Sequence, residues 1–155
     1  MNGIIRTCGF IFCLLAARLV VADDWPQWRG VERDGVWRET GIVKELPKKL
    51  SFLWRAPVGM GYAGPAVAVG RVYLMDRVLG SGEENPDNPF DKMRVNGCER
   101  ILCFDAVRGK VLWKHSYPSN YTISYPYGPR TTPTGSGGKG YCLGAMGDLL
   151  CLDAG

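Results

Sequence analysis

Hydrophobic residues occur along this chain in short segments separated by clusters of Gly, Pro, Asn and Asp, and a 3.6-residue periodicity is almost absent after residue 22. Such segments are typical of β-strands joined by turns. Residues 78–97 have no strand pattern and are predicted to form a surface loop. The chain is therefore predicted to be all-β, with strands at residues 50–58, 66–69, 71–76, 100–105, 111–115, 140–144 and 149–153.

The first 22 residues have the pattern of an export signal. Arg6 precedes an uncharged, mostly apolar run at residues 7–17, and Ala22 stands where a signal peptidase would cut. A helix of that length rises only about 16 Å, too little to span a hydrocarbon core of about 30 Å. The alternative is an N-terminal helix that belongs to the core. We predict a bacterial periplasmic or secreted protein without a transmembrane segment once the signal is removed.

Two parts of the chain are similar to each other. The hexapeptides at 101–106 and 149–154 match in residue type at every position, 48 residues apart. A second set of matches lies 68 residues apart and comprises Pro65 with Pro133, Gly70 with Gly138, and Tyr73 with Tyr141. The difference of 20 residues is the length of the stretch at 78–97, so one repeat carries an insertion between its second and third strands. Four short strands in a unit of this length are typical of a β-propeller blade.

The repeat resembles that of the pyrroloquinoline-quinone-like (PQQ-like) β-propeller family. The blade motif Ala-x-Asp-x-x-Thr-Gly-x-x-x-Trp is similar to residues 103–113, where Cys103 stands for Ala and Arg108 for Thr. The sequence DWPQWRG, followed by RDGV, is similar to the leader of exported bacterial members. The resemblance implies a leader at residues 23–49 and a partial propeller of four-stranded antiparallel blades at residues 50–155.

Five residues have structural roles in the repeat. Asp105 begins a tight turn in which its carboxylate can accept backbone N–H groups, and Gly109 supplies the positive φ that closes the turn. Asp153 repeats Asp105, which argues against a catalytic role for this carboxylate. The resemblance implies that Trp54 and Trp113 wedge between adjacent blades. The alternative is a stacking platform for a flat quinone or a sugar.

Charge and motif content exclude some classes of function. The formal net charge is +4, and about +2 remains without the export signal, too little to indicate a nucleic-acid partner. His115 is the only histidine, and no catalytic or metal-ligand spacing accompanies it. Glu83, Glu84, Asp87 and Asp91 lack a recognised calcium-ligand spacing, so a solvated acidic loop is the preferred interpretation.

The segment at residues 117–133 is the best candidate for a binding site. In a propeller, a link between blades lies on one face around the central channel, where ligands usually bind. Tyr and Arg are among the side chains most used in recognition. The candidate residues are Tyr125, Tyr127 and Arg130, together with Tyr62 from the corresponding earlier link. The alternative is a rigid connector without a ligand.

Two functions remain open at this point. The first is an exported binding or scaffold module for a protein or a carbohydrate, and the second is a PQQ-dependent dehydrogenase of alcohols or sugars. The resemblance alone admits PQQ as a cofactor, and neither a catalytic residue nor a metal ligand is predicted. We also expect a fragment of a longer protein, in which residues 50–58 complete a further blade, because a propeller needs four or more blades.

Cys142 and Cys151 are a candidate disulfide. If Met146 and Gly147 form a two-residue hairpin turn, the two cysteines face each other with Cα atoms about 4.5 Å apart. A three-residue turn would shift the register by one position and place the thiols on opposite faces of the sheet. Two small buried thiols are the alternative.

Overall fold

The computed structural model describes residues 23–155, so the export signal predicted at residues 1–22 lies outside the described residues. The described chain forms two antiparallel β-sheets, which confirms the prediction of an all-β chain. The first sheet consists of β1 (Ala66–Ala68), β2 (Arg71–Leu79), β3 (Gly97–Asp105) and β4 (Val111–Pro118), and the second of β5 (Thr134–Ser136), β6 (Lys139–Leu143) and β7 (Leu149–Asp153). Residues 23–155 include no helix of the length and apolar character needed to cross a membrane.

Both sheets begin with the same two-residue hairpin. Residues 69–70 join β1 to β2, residues 137–138 join β5 to β6, and all four residues have φ between 50° and 73°. Positive φ at both positions is the geometry of a type I′ turn, which matches the twist of antiparallel strands. Glycine adopts this geometry without strain at three of the four positions, whereas Val69 is a β-branched residue in a disfavoured region.

The strand register also repeats. The equivalent pairs of facing residues are Tyr73 with Cys103 in the first sheet and Tyr141 with Cys151 in the second. The residue after each third strand then returns to the first turn of its sheet. Ala106 and Ala154 donate their backbone N–H groups to the carbonyl oxygens of Gly70 and Gly138, both at 3.0 Å. Residues related by the two sequence offsets therefore occupy equivalent positions in two similar sheets.

The insertion in the first repeat divides between longer strands and a longer loop. β2 and β3 have 9 residues each, whereas β6 and β7 have 5 each. The loop predicted at 78–97 is therefore too long at both ends, because Val78, Leu79 and Gly97 belong to strands. The sequence pattern failed there because the buried positions at this end of the strands carry charged Arg77 and Glu99.

The two sheets pack against each other through opposite faces. Their shared core contains Met75, Ile101 and Cys142, with Leu150, Leu152 and Trp113 packed around it. By the repeat, Leu150 and Leu152 correspond to Leu102 and Phe104, which lie on the other face of β3 from Ile101 because successive side chains of a strand alternate. Each sheet thus contributes a different one of its two equivalent faces to the shared core. The two sheets are therefore stacked in the same orientation.

The strand predicted at residues 50–58 does not form. The segment pairs with no strand of the described chain, and an extended segment needs a hydrogen-bonded neighbour to be a stable strand. One side chain anchors it instead. Trp54 stacks on Phe104 with ring centroids 6.2 Å apart and donates its Nε1–H to the Ala106 carbonyl oxygen at 2.8 Å. Trp113 lies on the opposite face of the first sheet, against Tyr73 and the second sheet.

Asp105 and Gly109 form the turn after β3. The Asp105 carboxylate accepts the backbone N–H groups of Val107 at 3.0 Å and Arg108 at 2.6 Å, and the Gly109 N–H closes the turn on the Asp105 carbonyl oxygen at 2.8 Å. Asp153, the equivalent of Asp105, forms an ion pair with Lys139 instead. The Trp54 ring lies against Gly109 in the turn after β3.

The two cysteines of the second sheet do not form the candidate disulfide. Gly144 donates its N–H to the Asp148 carbonyl oxygen at 2.8 Å, which leaves a three-residue turn. Cys142 then faces Leu150, Cys142 is buried, and Cys151 is exposed on the opposite face. The two-residue turn on which the candidate disulfide depended does not form; the three-residue alternative does, and both thiols are free.

Gly109→Ala should destabilise the protein more than Gly70→Ala. The two glycines have φ of 67° and 69°, so both variants carry backbone strain of about 1–2 kcal/mol. A Cβ at Gly70 meets nothing within 4 Å, whereas at Gly109 it would lie under 3.0 Å from the Trp54 ring. Overpacking adds roughly 1–3 kcal/mol. Urea unfolding measures the difference, and equal losses would show that Trp54 does not rest on Gly109.

Candidate functional site

Two loop segments run side by side at one end of the first sheet and bring the predicted binding residues together. Tyr62 donates its backbone N–H to the Pro129 carbonyl oxygen at 2.8 Å. Gly128 has φ of 153°, and a Cβ there would lie under 3.0 Å from the Met60 carbonyl oxygen. Met60 is in turn paired with Arg77 of β2 through two backbone hydrogen bonds of 3.0 and 2.7 Å. The two segments are therefore fixed to each other and to the sheet.

Tyr62, Tyr125, Tyr127 and Arg130 form one surface cluster. Tyr62 meets Tyr127 edge to face, with ring centroids 6.4 Å apart. The Arg130 guanidinium donates to the carbonyl oxygens of Ser124 at 2.6 Å and Tyr125 at 3.1 Å. Desolvation raises the pKa of the Tyr62 hydroxyl, and the nearby positive charge of Arg130 opposes that shift. Side chains from both segments therefore share one surface.

Tyr125 is held in an unusual backbone conformation by the inserted loop at residues 80–96. Its φ is 54°, a value that a non-glycine residue rarely adopts. The Tyr125 N–H donates to the Pro89 carbonyl oxygen at 2.6 Å, and its ring meets the Phe90 ring edge to face at 5.0 Å. Strained backbone of this kind is concentrated at functional sites. Phe90 thus extends the cluster, and its place in the insertion concealed it from sequence analysis.

Arg77 supports the cluster from beneath. Its side chain is fully buried, and it donates to the Pro126 carbonyl oxygen at 3.0 Å and the Val95 carbonyl oxygen at 2.8 Å. The guanidinium also lies over the Tyr121 ring, 3.9 Å from its centroid. Burial lowers the pKa of Arg77. A single side chain therefore joins β2, the inserted loop and the segment that carries Tyr125 and Tyr127.

Glu99 is the neighbour of Arg77 across β2 and β3, and it is also fully buried. Its carboxylate accepts hydrogen bonds from the hydroxyls of Tyr117 and Tyr121 and from the Ala145 backbone N–H at 2.9 Å. Burial, and next the hydrogen bond to Glu99, raise the pKa of both tyrosines well above the usual value. This network carries the candidate site, and it connects the site to the second sheet.

A second buried carboxylate, Asp76, lies on the opposite face of β2. It accepts hydrogen bonds from Arg100, with Nε 2.7 Å from Oδ1, and from the backbone N–H of Gly59. The sequence offered one signal for both carboxylates, namely charged residues directly flanking strongly apolar strand segments. That signal does not identify the hydrogen-bond partners of the two carboxylates, since each partner lies on a different strand or loop.

The surface cluster does not fit the quinone that the family resemblance admits. PQQ is a flat tricarboxylate, and a stacking site for it needs parallel aromatic faces. Tyr62 meets Tyr127 edge to face, and Tyr125 meets Phe90 in the same way. Within residues 23–155, no group of three or more His, Cys, Asp or Glu side chains is placed to hold a metal ion. His115 lies beside Tyr117, with ring centroids 6.2 Å apart.

Comparisons of the chain with models of protein families, with curated proteins and with solved structures found no match.

The buried hydroxyls and the buried thiol should make the fold sensitive to alkali. Burial raises the pKa of Cys142 to about 11 from 9.0, and Tyr117 and Tyr121 are raised above 10.0. A group whose pKa is higher in the folded state contributes its full stabilisation below its unfolded pKa, and this contribution is lost as the pH rises through the folded value. The free energy of unfolding should therefore fall from about pH 9 for the thiol, and from about pH 10 for the hydroxyls.

Tyr117→Phe tests the hydroxyl contribution. Above about pH 10 it should make the slope of unfolding free energy against pH shallower by up to about 1.4 kcal/mol per pH unit. The control is Tyr141→Phe, which alters an exposed tyrosine and should leave the slope unchanged. Denaturant unfolding between about pH 8 and pH 11 measures these slopes. Equal slopes in the wild type and both variants would show that Tyr117 is not buried against Glu99.

Proposed function

We propose that the protein is an exported PQQ-like repeat β-propeller that acts as a binding or scaffold module. The two sheets would be successive blades, the first complete and the second represented by three strands. Three observations support the proposal: the type I′ hairpin that begins each sheet, the repeated strand register, and the packing of the sheets in one orientation. Stacking copies of one sheet through opposite faces is the arrangement from which a propeller is built.

The rigid cluster of Tyr62, Tyr125, Tyr127 and Arg130 is the observation that carries the proposed function. Tyr62 and Tyr125 are 49% and 39% exposed although neighbouring Pro126 and Pro129 are fully buried. Rigid, exposed tyrosines supply contact area at a low cost in conformational entropy, and Tyr and Arg are enriched among the residues that dominate binding energy. We therefore assign this surface to the recognition of a partner protein.

The cluster lies on segments that support it from several sides. The inserted loop holds Tyr125 through Pro89 and Phe90, and Arg77 holds the backbone of the same segment at Pro126. A preformed surface loses little entropy on binding, which favours affinity.

Arg130→Ala should remove partner binding with little effect on folding. A dominant interface arginine contributes about 2 kcal/mol or more, which is about thirtyfold in affinity. Loss of two hydrogen bonds by an exposed side chain should cost no more than about 1 kcal/mol in stability. The matched control is Arg94→Ala, an exposed arginine of the inserted loop outside the cluster.

The measurement is quantitative mass spectrometry of proteins retained from an extract of exported proteins by wild type, Arg130→Ala and Arg94→Ala. Partners retained by wild type and Arg94→Ala but lost by Arg130→Ala support the proposal, provided that all three melt alike. The same set retained by all three proteins contradicts it. Dye-linked alcohol oxidation by the protein with added PQQ and Ca²⁺ would replace the scaffold function with that of a dehydrogenase.

A further inference from the structure

A groove of about 750 Å³ lies between the leader and the start of the first sheet. Three tryptophans of the leader line it, and they are accompanied by two carboxylates and an amide. These residues are Trp25, Trp28, Trp37, Asp23, Glu39 and Gln27. The volume is within the range of small-molecule sites in proteins, which is about 300–1,000 Å³. The groove is separate from the surface cluster around Arg130.

The leader holds this groove in a defined shape. Trp25 forms two backbone hydrogen bonds with Val67 of β1, at 2.8 and 2.9 Å. Its ring lies on Gly30, where φ is 76° and a Cβ would lie about 3 Å from three ring carbons. The Gln27 side chain donates to the Val31 carbonyl oxygen at 3.0 Å, which fixes the next turn of the chain. The backbone pairing of Trp25 with Val67 therefore attaches this side of the groove to the first sheet.

The indoles of Trp28 and Trp37 are exposed to a ligand. Trp28 is 69% exposed and Trp37 is 58% exposed. Among the aromatic contacts of residues 23–155, none joins two of the three groove tryptophans, so their faces are not covered by one another. Exposed indoles around one groove are costly to maintain in water, and contiguous apolar surface of this kind marks an interaction site.

The charge of the groove is one-sided. Asp23 and Glu39 line it, and no Lys or Arg does so. The three arginines of the leader have partners within the leader: Arg29 donates to the Asp34 carbonyl oxygen, Arg33 to the Gln27 amide oxygen, and Arg38 to the Asp34 carboxylate. Arg38 lines the adjoining cavity, where it forms an ion pair with Asp34, and Glu39 accepts a hydrogen bond from the backbone nitrogen of Asp23. The charged side chains that line the groove itself are both acidic.

We propose that this groove binds a small organic cation with a quaternary ammonium group. Indole faces attract such a cation through the ring quadrupole, and the methyl groups of the cation match the apolar walls. Asp23 and Glu39 complement its charge without requiring a donor from the ligand, since a quaternary ammonium ion has no N–H group.

Choline and its neutral isostere 3,3-dimethylbutan-1-ol test the charge requirement on the full chain. Titration is followed by tryptophan fluorescence and by calorimetry. We expect choline to bind at least tenfold more tightly than the isostere, as cation–π and carboxylate contacts both depend on the charge. Equal affinity of the two ligands would overturn the proposal, and so would binding of a neutral disaccharide such as maltose in place of choline.

Two variants locate the site, each with a matched control. Trp37→Ala should weaken choline binding about tenfold, whereas Phe52→Ala, an exposed aromatic residue outside the groove, should not change it. Glu39→Gln should weaken it about threefold, whereas Glu45→Gln, which alters an exposed leader carboxylate outside this groove and the adjoining cavity, should have no effect.

Melting curves show whether each variant is folded. If Trp37→Ala does not fold, Trp37→Phe replaces it, because phenylalanine keeps an aromatic ring at this position. Unchanged choline affinity in folded Trp37 and Glu39 variants would place any binding elsewhere and end the proposal. The Arg130 surface takes no part in this experiment, so failure here leaves the proposed function untouched.

Discussion

The buried carboxylate of Glu99 is the constraint on which the arrangement of the described chain depends. An ionised carboxylate without partners is one of the most costly groups to remove from water, and burial is tolerated only when hydrogen bonds satisfy its oxygens. Glu99 receives these bonds from Tyr117 of β4, from Tyr121 of the connecting segment, and from the backbone of Ala145 in the second sheet. Any displacement of one of the three parts would leave the charge unsatisfied. Satisfying the carboxylate therefore fixes the sheets and the connector together.

The insertion in the first repeat acquires its role from this constraint. The four-residue extension of β2 and of β3, relative to β6 and β7, contains Arg77 and Glu99 as neighbours. Arg77 covers the Tyr121 ring and binds the carbonyl oxygens of Val95 and Pro126. The second sheet is shorter at this end, and Gly144 lets its turn approach so closely that a Cβ would contact Glu99 and Tyr117. The extra length of β2 and β3 thus supports the segment at residues 117–133, which carries Tyr125 and Tyr127.

Sequence reasoning succeeded where structure is decided by neighbouring residues. The repeat matched Gly70 with Gly138, and both lie at equivalent positive-φ positions of hairpin turns, while the Asp105 turn follows from local chemistry of the same kind. It failed where the deciding contact is distant in sequence. The 50–58 segment has a strand pattern without an available partner, and the partners of Glu99 lie 18, 22 and 46 residues away. Cys142 shows how narrow the margin is, since one added turn residue moved it away from Cys151.

The leader links the candidate groove to the packing of the two sheets. Trp25 extends the edge of β1 through Val67, and the next residue, Pro26, accepts the N–H of Gly135 in β5 at 2.8 Å. The leader therefore bridges the first strands of both sheets. This bridge and the Glu99 network lie at opposite ends of the sheets. A ligand that binds the groove of the folded chain, and not the unfolded chain, adds its binding free energy to that bridge by linkage. The sheets are held at one end by a buried charge and at the other by backbone pairing with the segment that forms the groove.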